Sequence, residues 1–231
     1  FLNSFGRRPD KEIILLALNQ VKFNRQLHSI DDFKDVEFSA FSQWGEDGII
    51  DWLISKIPQI PPTFIEFGVE NYREANTRLL LQMRNWRGLV IDGSFENIQD
   101  IRRQDISWKY QLDSRSEFIT ADNINNLISL AGLEDEIGLL SIDIDGNDYW
   151  IWKSIVQVSP IIVVIEYNAV LGDLFPLTIP YSSSFQRTCG HYSNLYFGAS
   201  LSALISLGRE KGYTFVGTNS NGVNAFFVRS D

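Results

Sequence analysis

The sequence predicts an α/β domain built on a largely parallel sheet, and three observations carry that prediction. Short apolar runs of strand length, Thr63–Gly68, Gly88–Asp92, Gly138–Asp143 and Ile161–Glu166, alternate with stretches of helical apolar spacing. Strands that alternate with helices pair in parallel through right-handed crossovers. The chain then closes on two strands, Tyr213–Gly217 and Val223–Arg229, joined by Thr218-Asn-Ser-Asn-Gly222, a hairpin signal that adds one antiparallel strand. Finally, the parallel strands end in acids: Glu66, then Asp143-Ile-Asp145-Gly146-Asn-Asp148, then Glu166. Carboxylates at the ends of buried strands are costly for folding unless a ligand, metal or partner needs them, and such strand ends are where open α/β sheets bind ligands.

The elements follow in order. Ile13, Leu16, Ala17 and Val21 give residues 10–25 a helical spacing, with Asp10 as the expected cap. A polar stretch leads to Phe41-Ser-Gln43-Trp44-Gly45-Glu46-Asp47-Gly48 and a helix over Ile49–Ile57, which Pro58, Pro61 and Pro62 stop. After the first strand come a helix over Glu74–Asn85, the second strand, and a helix over Phe95–Gln104. A third strand falls within Trp108–Thr120. Asp122 or Thr120 is expected to cap the helix Asn123–Ala131. The fourth strand feeds the helix Tyr149–Val156, and the fifth ends at Glu166. Residues 169–197 form an irregular stretch of a length that usually belongs to a lid or another functional loop. A helix over Ala199–Lys211 precedes the hairpin. The expected organisation is a helical N-terminal extension, residues 1–62, packed on a catalytic domain, residues 63–231.

Bulk properties narrow the function. At 231 residues the chain can bury one substantial core, and a formal charge of −9 without a basic run argues against a nucleic-acid partner. Cys189 is the single cysteine, which excludes an internal disulfide and a multi-cysteine zinc site. No apolar run approaches the roughly 20 residues that span a bilayer. Phe1-Leu-Asn-Ser-Phe-Gly-Arg-Arg lacks the order of a signal peptide, so a soluble, cytoplasmic protein without a membrane partner is expected. Self-association into a homo-oligomer is left open.

Candidate site residues come from the strand ends. Glu66-Phe-Gly68 places an acid and then a glycine that permits close backbone approach, although the Gly-x-Gly-x-x-Gly fingerprint and a phosphate-binding Gly-Lys loop are both missing. Asp92 ends the second strand about one β-α-β unit later, where a carboxylate commonly accepts two ribose hydroxyls; capping of the next helix is its competing role. Asp143 and Asp145 alternate, so one is expected to face the cleft and the other to point away. Asp148 suits either the site or the N-terminus of the following helix. Asp143 or Asp145, with Glu166 and Asn168, offers oxygen ligands for a hard cation such as Mg²⁺. His191, in the long loop, is a candidate general base near neutral pH; His28 is expected on the surface.

Phe41-Ser-Gln-Trp-Gly-Glu-Asp-Gly48, Phe64-Ile-Glu-Phe-Gly68, Leu89-Val-Ile-Asp92 and Leu140-Ser-Ile-Asp-Ile-Asp-Gly-Asn-Asp148 together resemble class I S-adenosylmethionine-dependent methyltransferases, especially the FkbM-like group. The last motif is similar to that group's Lys-Ile-Asp-Val-Glu-Gly, with Ser141 for lysine and Asp145 for glutamate. The resemblance covers about residues 41–229. It implies a three-layer Rossmann-like fold with a seven-stranded sheet, order 3-2-1-4-5-7-6, strand 7 antiparallel. It also implies S-adenosylmethionine as cofactor, with Glu66 and Gly68 at its methionine and ribose end and Asp92 on the ribose. Gln43 and Glu46 would lie near or over it, Ser116–Asn123 would supply the adenine contacts, and Asp143 would sit beside the reactive methyl. The expected reaction is O-methylation of a hydroxyl on a sugar or small metabolite, with Asp143 or His191 as base and Mg²⁺ as an option. A Rossmann-type nucleotide-dependent oxidoreductase and a catalytically silent cofactor-binding domain are the alternatives.

Overall fold

A computed structural model describes residues 9–133 and 137–231; the reading of Phe1–Arg8 lies outside them. The elements run α1 (Pro9–Asn24), α2 (Glu46–Lys56), β1 (Thr63–Phe67), α3 (Arg78–Arg84), β2 (Arg87–Asp92), α4 (Phe95–Arg103), α5 (Ile106–Lys109), β3 (Leu112–Ser116) and α6 (Ile124–Ser129). They continue with β4 (Leu139–Ile142), α7 (Asp148–Ser154), β5 (Ile162–Glu166), α8 (Arg187–Gly190), α9 (Leu201–Glu210), β6 (Tyr213–Thr218) and β7 (Asn224–Arg229). The seven strands form one sheet in the order β3-β2-β1-β4-β5-β7-β6. β1 to β5 pair in parallel, and β7 runs antiparallel to both β5 and β6. The expected architecture is the observed one.

Residues on the central strands alternate between two cores, as a period of two requires. Phe64, Val90, Leu139 and Ile162 pack with Ile49, Ile50 and Leu80 from α2 and α3. Ile65, Leu89, Leu140 and Val163 pack with Ile128, Trp152 and Leu204 from α6, α7 and α9. Both faces of the sheet are therefore covered, which is why these strands read as continuous apolar runs.

Two local expectations, the Asp10 cap and the helix from Glu74, are corrected. Asp10 lies inside α1 rather than capping it; its carboxylate accepts from Arg78 Nη2 at 2.8 Å and from Gln82 Nε2 at 3.3 Å. Together with the Arg25–Asp51 pair and the Asn24 Nδ2 bond to the Val36 carbonyl, this ties α1 to α2, α3 and the segment between. The helix expected from Glu74 begins only at Arg78, because Glu66 captures the amides of Asn76 and Thr77 first. Between α4 and β3 the chain makes the short α5, which takes up Trp108. At the α6 entrance, Thr120 and Asn123 exchange reciprocal side-chain bonds to each other's amides, so of the two residues expected there Thr120, not Asp122, closes the turn that leads into the helix, with Asn123 at the N-cap position.

Candidate functional site

The sheet order reverses between β1 and β4, and the carboxyl ends of β1, β2, β4 and β5 open there into a cleft of about 550 Å³. Its shape depends on Gly68. This residue has φ +72, and a Cβ on it would lie 1.5 Å from the Asp143 carbonyl oxygen. The sequence suggested a glycine that lets backbone approach a ligand; the approach it permits here is between the ends of β1 and β4. That contact holds the Asp143 backbone against the first strand, where the Asp143 amide donates to the Phe67 carbonyl at 3.3 Å.

Beyond β4 the chain turns at once. Asp145 has φ +57, a left-handed conformation that aspartate tolerates better than most residues. The buried Asp148 fixes the turn, its two oxygens accepting from the amides of Ile144 at 2.8 Å and Gly146 at 2.9 Å. Burial pushes Asp148 up to about 6 despite those amides, which lower it. Because the strand has ended, Asp143 and Asp145 do not diverge as their alternation implied. One carboxylate oxygen from each, with one from Glu166 at the end of β5, lies within 4.8 Å of the others. Burial first, and the facing carboxylates second, raise Asp143 and Glu166 well above the usual carboxylate range.

Arg187, a residue that pattern reasoning missed, partly balances this charge. Its Nη1 donates to Asp145 Oδ1 at 2.6 Å and lies 3.7 Å from Glu166 Oε1, while its Nε donates to the Asn194 carbonyl at 3.0 Å and its guanidinium stacks over Phe197. The other oxygen of Glu166, Oε2, is buried and has no hydrogen-bond partner among the described residues. Nor does a hydrogen bond of the described residues reach the Asp143 carboxylate. Asn168 does not join the cluster. Its Nδ2 donates to the carbonyls of Leu195 and Phe197 and its Oδ1 accepts from the Val170 amide, so it anchors the long loop. Asp143 takes the place among the three oxygen donors that Asn168 was expected to fill.

On the β1–β2 side, Glu66 is largely committed to the protein. It accepts from the amides of Asn76 at 2.8 Å and Thr77 at 3.1 Å and from Thr77 Oγ1 at 2.5 Å, while burial pushes it up to about 7. Asp92 accepts from the Glu70 amide at 2.8 Å on Oδ2, and from the Ser94 amide and Asn97 Nδ2 on Oδ1. A carboxylate has about four acceptor directions, so one remains toward the cleft rather than the two that a ribose diol would take. Glu70, exposed and left-handed beside it, lines the same wall. Ser94 is the true cap of α4.

Gln43 and Trp44 line the rim. Glu46 holds them in place: its oxygens accept from the Trp44 amide and from the side chains of Asn219 and Asn224, each at 2.8 Å. Asp47 adds a second clamp, one oxygen accepting from the amides of Ala40, Phe41 and Ser42 at 2.7–2.8 Å. Burial pushes Asp47 up to about 6. Phe118 and Ile119, within the span expected to meet an adenine, also line the cleft. His191 does not: it is exposed, pairs with Ser193 Oγ at 2.8 Å, and is absent from the described lining.

No protein-family model matches the chain, and no curated protein matches it. Solved structures do, and methyltransferases are among them. Magnesium protoporphyrin IX methyltransferase from Synechocystis PCC 6803, with bound S-adenosylhomocysteine, aligns at TM-score 0.51 and 14% identity, over 96% of this chain and 100% of its own. An O-methyltransferase from Bacillus cereus in complex with S-adenosylhomocysteine aligns at TM-score 0.49 and 12% identity, over 98% and 91%. The first likeness establishes a shared Rossmann-like methyltransferase fold.

Proposed function

We propose that the chain is an S-adenosylmethionine-dependent methyltransferase that O-methylates a hydroxyl of a carbohydrate or other small molecule. The observation that carries this is one acidic cleft, at the point where the strand order reverses, which gathers Gly68, Asp92 and Asp143 from the ends of β1, β2 and β4. The Synechocystis neighbour holds S-adenosylhomocysteine on the same fold. An excess of carboxylates suits a cofactor that carries a sulfonium and an ammonium. The missing dinucleotide fingerprint weighs against an oxidoreductase.

When bound, S-adenosylmethionine supplies an electrophilic methyl group. The chain's residues would do the rest. Asp92 would accept one ribose hydroxyl, with Glu70 placed for the second. Glu66 and Gly68 would border the methionine end, Phe118 and Ile119 the adenine, and Gln43 and Trp44 would cover it. Alignment and exclusion of water supply most of the rate. Asp143, whose carboxylate no described residue occupies, would take the proton of the acceptor hydroxyl. Asp92→Ala is expected to weaken S-adenosylhomocysteine binding in calorimetry by about 1–3 kcal/mol. Unchanged affinity would leave Asp92 as a brace for Glu70 and the α4 entrance only.

A second reading concerns a divalent cation, and the buried, partnerless oxygen Oε2 of Glu166 favours it. Asp143, Asp145 and Glu166 would hold a hard ion such as Mg²⁺, which when bound lowers the pKa of a coordinated hydroxyl. Arg187 would then give up part of its pairing. Titration with Mn²⁺, followed by its electron-spin signal, is expected to show saturable binding that Glu166→Gln abolishes. Methylation indifferent to chelator, with no Mn²⁺ bound, would remove the ion.

A further inference from the structure

The segment after β5 is held in place by its backbone yet turns large apolar side chains outward. Ser200 Oγ donates to the Phe175 carbonyl and accepts from the Leu177 amide, Asn168 grips the Leu195 carbonyl, and Arg187 grips that of Asn194. Nonetheless Leu174 is 84% exposed and Tyr192 is 92% exposed, with Phe175, Leu177, Leu195 and Tyr196 each more than two-fifths exposed. Six large exposed apolar side chains within 23 residues of one backbone-anchored segment make it a candidate docking surface. It approaches the cleft through Tyr196. Tyr196 lies 6.3 Å, ring to ring, from Phe185, which lines the cleft and lies so close to Gly146 that a Cβ there would be 2.3 Å from the ring.

Inside the cleft the demand is of the opposite kind. Arg187 is the one basic residue among the described lining, and it is already paired with Asp145 and Glu166. The partnerless buried atoms of the lining residues are all acceptors: Asn147 Oδ1, Glu166 Oε2 and Asn224 Oδ1. A molecule entering past them must offer donors and carry no net negative charge, because an unbalanced anion would meet like charges with no free cation among the described lining.

Resting on the methyltransferase reading above, we propose that the acceptor is an uncharged or amine-bearing hydroxylated amphiphile, its polar head in the acidic cleft and its apolar body on the 174–196 surface. The outward side chains select the body, and the acidic cleft rejects anionic heads. Leu174, Tyr192 and Leu195 are then specificity-determining residues for methyl transfer.

The test is calorimetry on the S-adenosylhomocysteine-loaded protein with methyl β-D-glucoside, n-octyl β-D-glucoside and n-octyl phosphate, all below micelle formation. The octyl glucoside is expected to bind at least about thirtyfold more tightly than the methyl glucoside, the gain from burying about two to three methylenes. It is also expected to bind about tenfold more tightly than octyl phosphate, one charge repulsion of about 1.4 kcal/mol. The triple variant Leu174→Ser, Tyr192→Ser, Leu195→Ser should erase the chain-length gain and leave S-adenosylhomocysteine affinity and the circular-dichroism melt unchanged. Should the triple variant fold poorly, Tyr192→Ser alone is expected to reduce the gain. No gain with chain length, or equal binding of octyl phosphate, overturns the proposal. So does a variant that turns an oligomer into a monomer in light scattering while keeping the octyl advantage, since the surface would then join copies of the chain. If S-adenosylhomocysteine does not bind, the cofactor reading falls, and the same glucoside series on the free protein still decides the surface.

Discussion

Asp143→Asn is expected to lower kcat by about 10²–10⁴-fold, the range for removing a positioned general base. Affinity for S-adenosylhomocysteine should change far less, because the amide keeps the shape of the side chain and the Asp143 backbone contacts with Phe67 and Gly68 are untouched. The wild-type rate should also carry a pH signature. Burial and the facing carboxylates hold the Asp143 proton well above the usual carboxylate pKa, so the basic form grows, and kcat rises, as pH increases through that raised value. A variant that loses affinity but keeps kcat would move Asp143 from base to cofactor wall. The pH–rate profile separates the two, since a wall residue would leave the wild-type limb in place.

Gly68→Ala is expected to destabilise the fold by about 3–5 kcal/mol, read as a lower urea midpoint with an unchanged slope. Two terms add. The residue holds φ +72, where an L side chain is strained, and its Cβ would overlap the Asp143 carbonyl at 1.5 Å, which only backbone movement relieves. Gly172→Ala is the control, with φ +70 but nothing within 4 Å of the new atom. It should cost about 1–3 kcal/mol, the backbone strain alone. Equal losses at the two positions would show that the β1–β4 approach does not depend on glycine.

These two residues also mark how far the sequence could be read. Asp143 and Gly68 announced themselves because an acid ending an apolar run, and a glycine just after one, are unusual signals at recognisable places. The alternating elements and the terminal hairpin yielded the sheet on the same grounds. Geometry after a strand ends was less accessible. Asp143 and Asp145 were expected on opposite sides, but alternation applies only while the strand continues, and the left-handed Asp145 bends the chain so that both meet Glu166. Arg187 lies in a stretch without periodicity, so nothing in the pattern could place it 2.6 Å from an acid 42 positions earlier. Asn168 and Glu66 had plausible ligand chemistry, yet the backbone claimed it, because buried amides and carbonyls must find partners whether or not a ligand arrives. His191 drew interest as one of two histidines; its exposure and its bond to Ser193 leave it outside the cleft.

The central claim is that the acidic cleft at the β1–β4 switch point takes S-adenosylmethionine, and titration calorimetry with S-adenosylhomocysteine and NAD⁺ tests it most directly. Saturable binding of S-adenosylhomocysteine, weakened by Asp92→Ala, with no heat from NAD⁺, is the predicted result. Saturable NAD⁺ binding in the absence of any response to S-adenosylhomocysteine would contradict it.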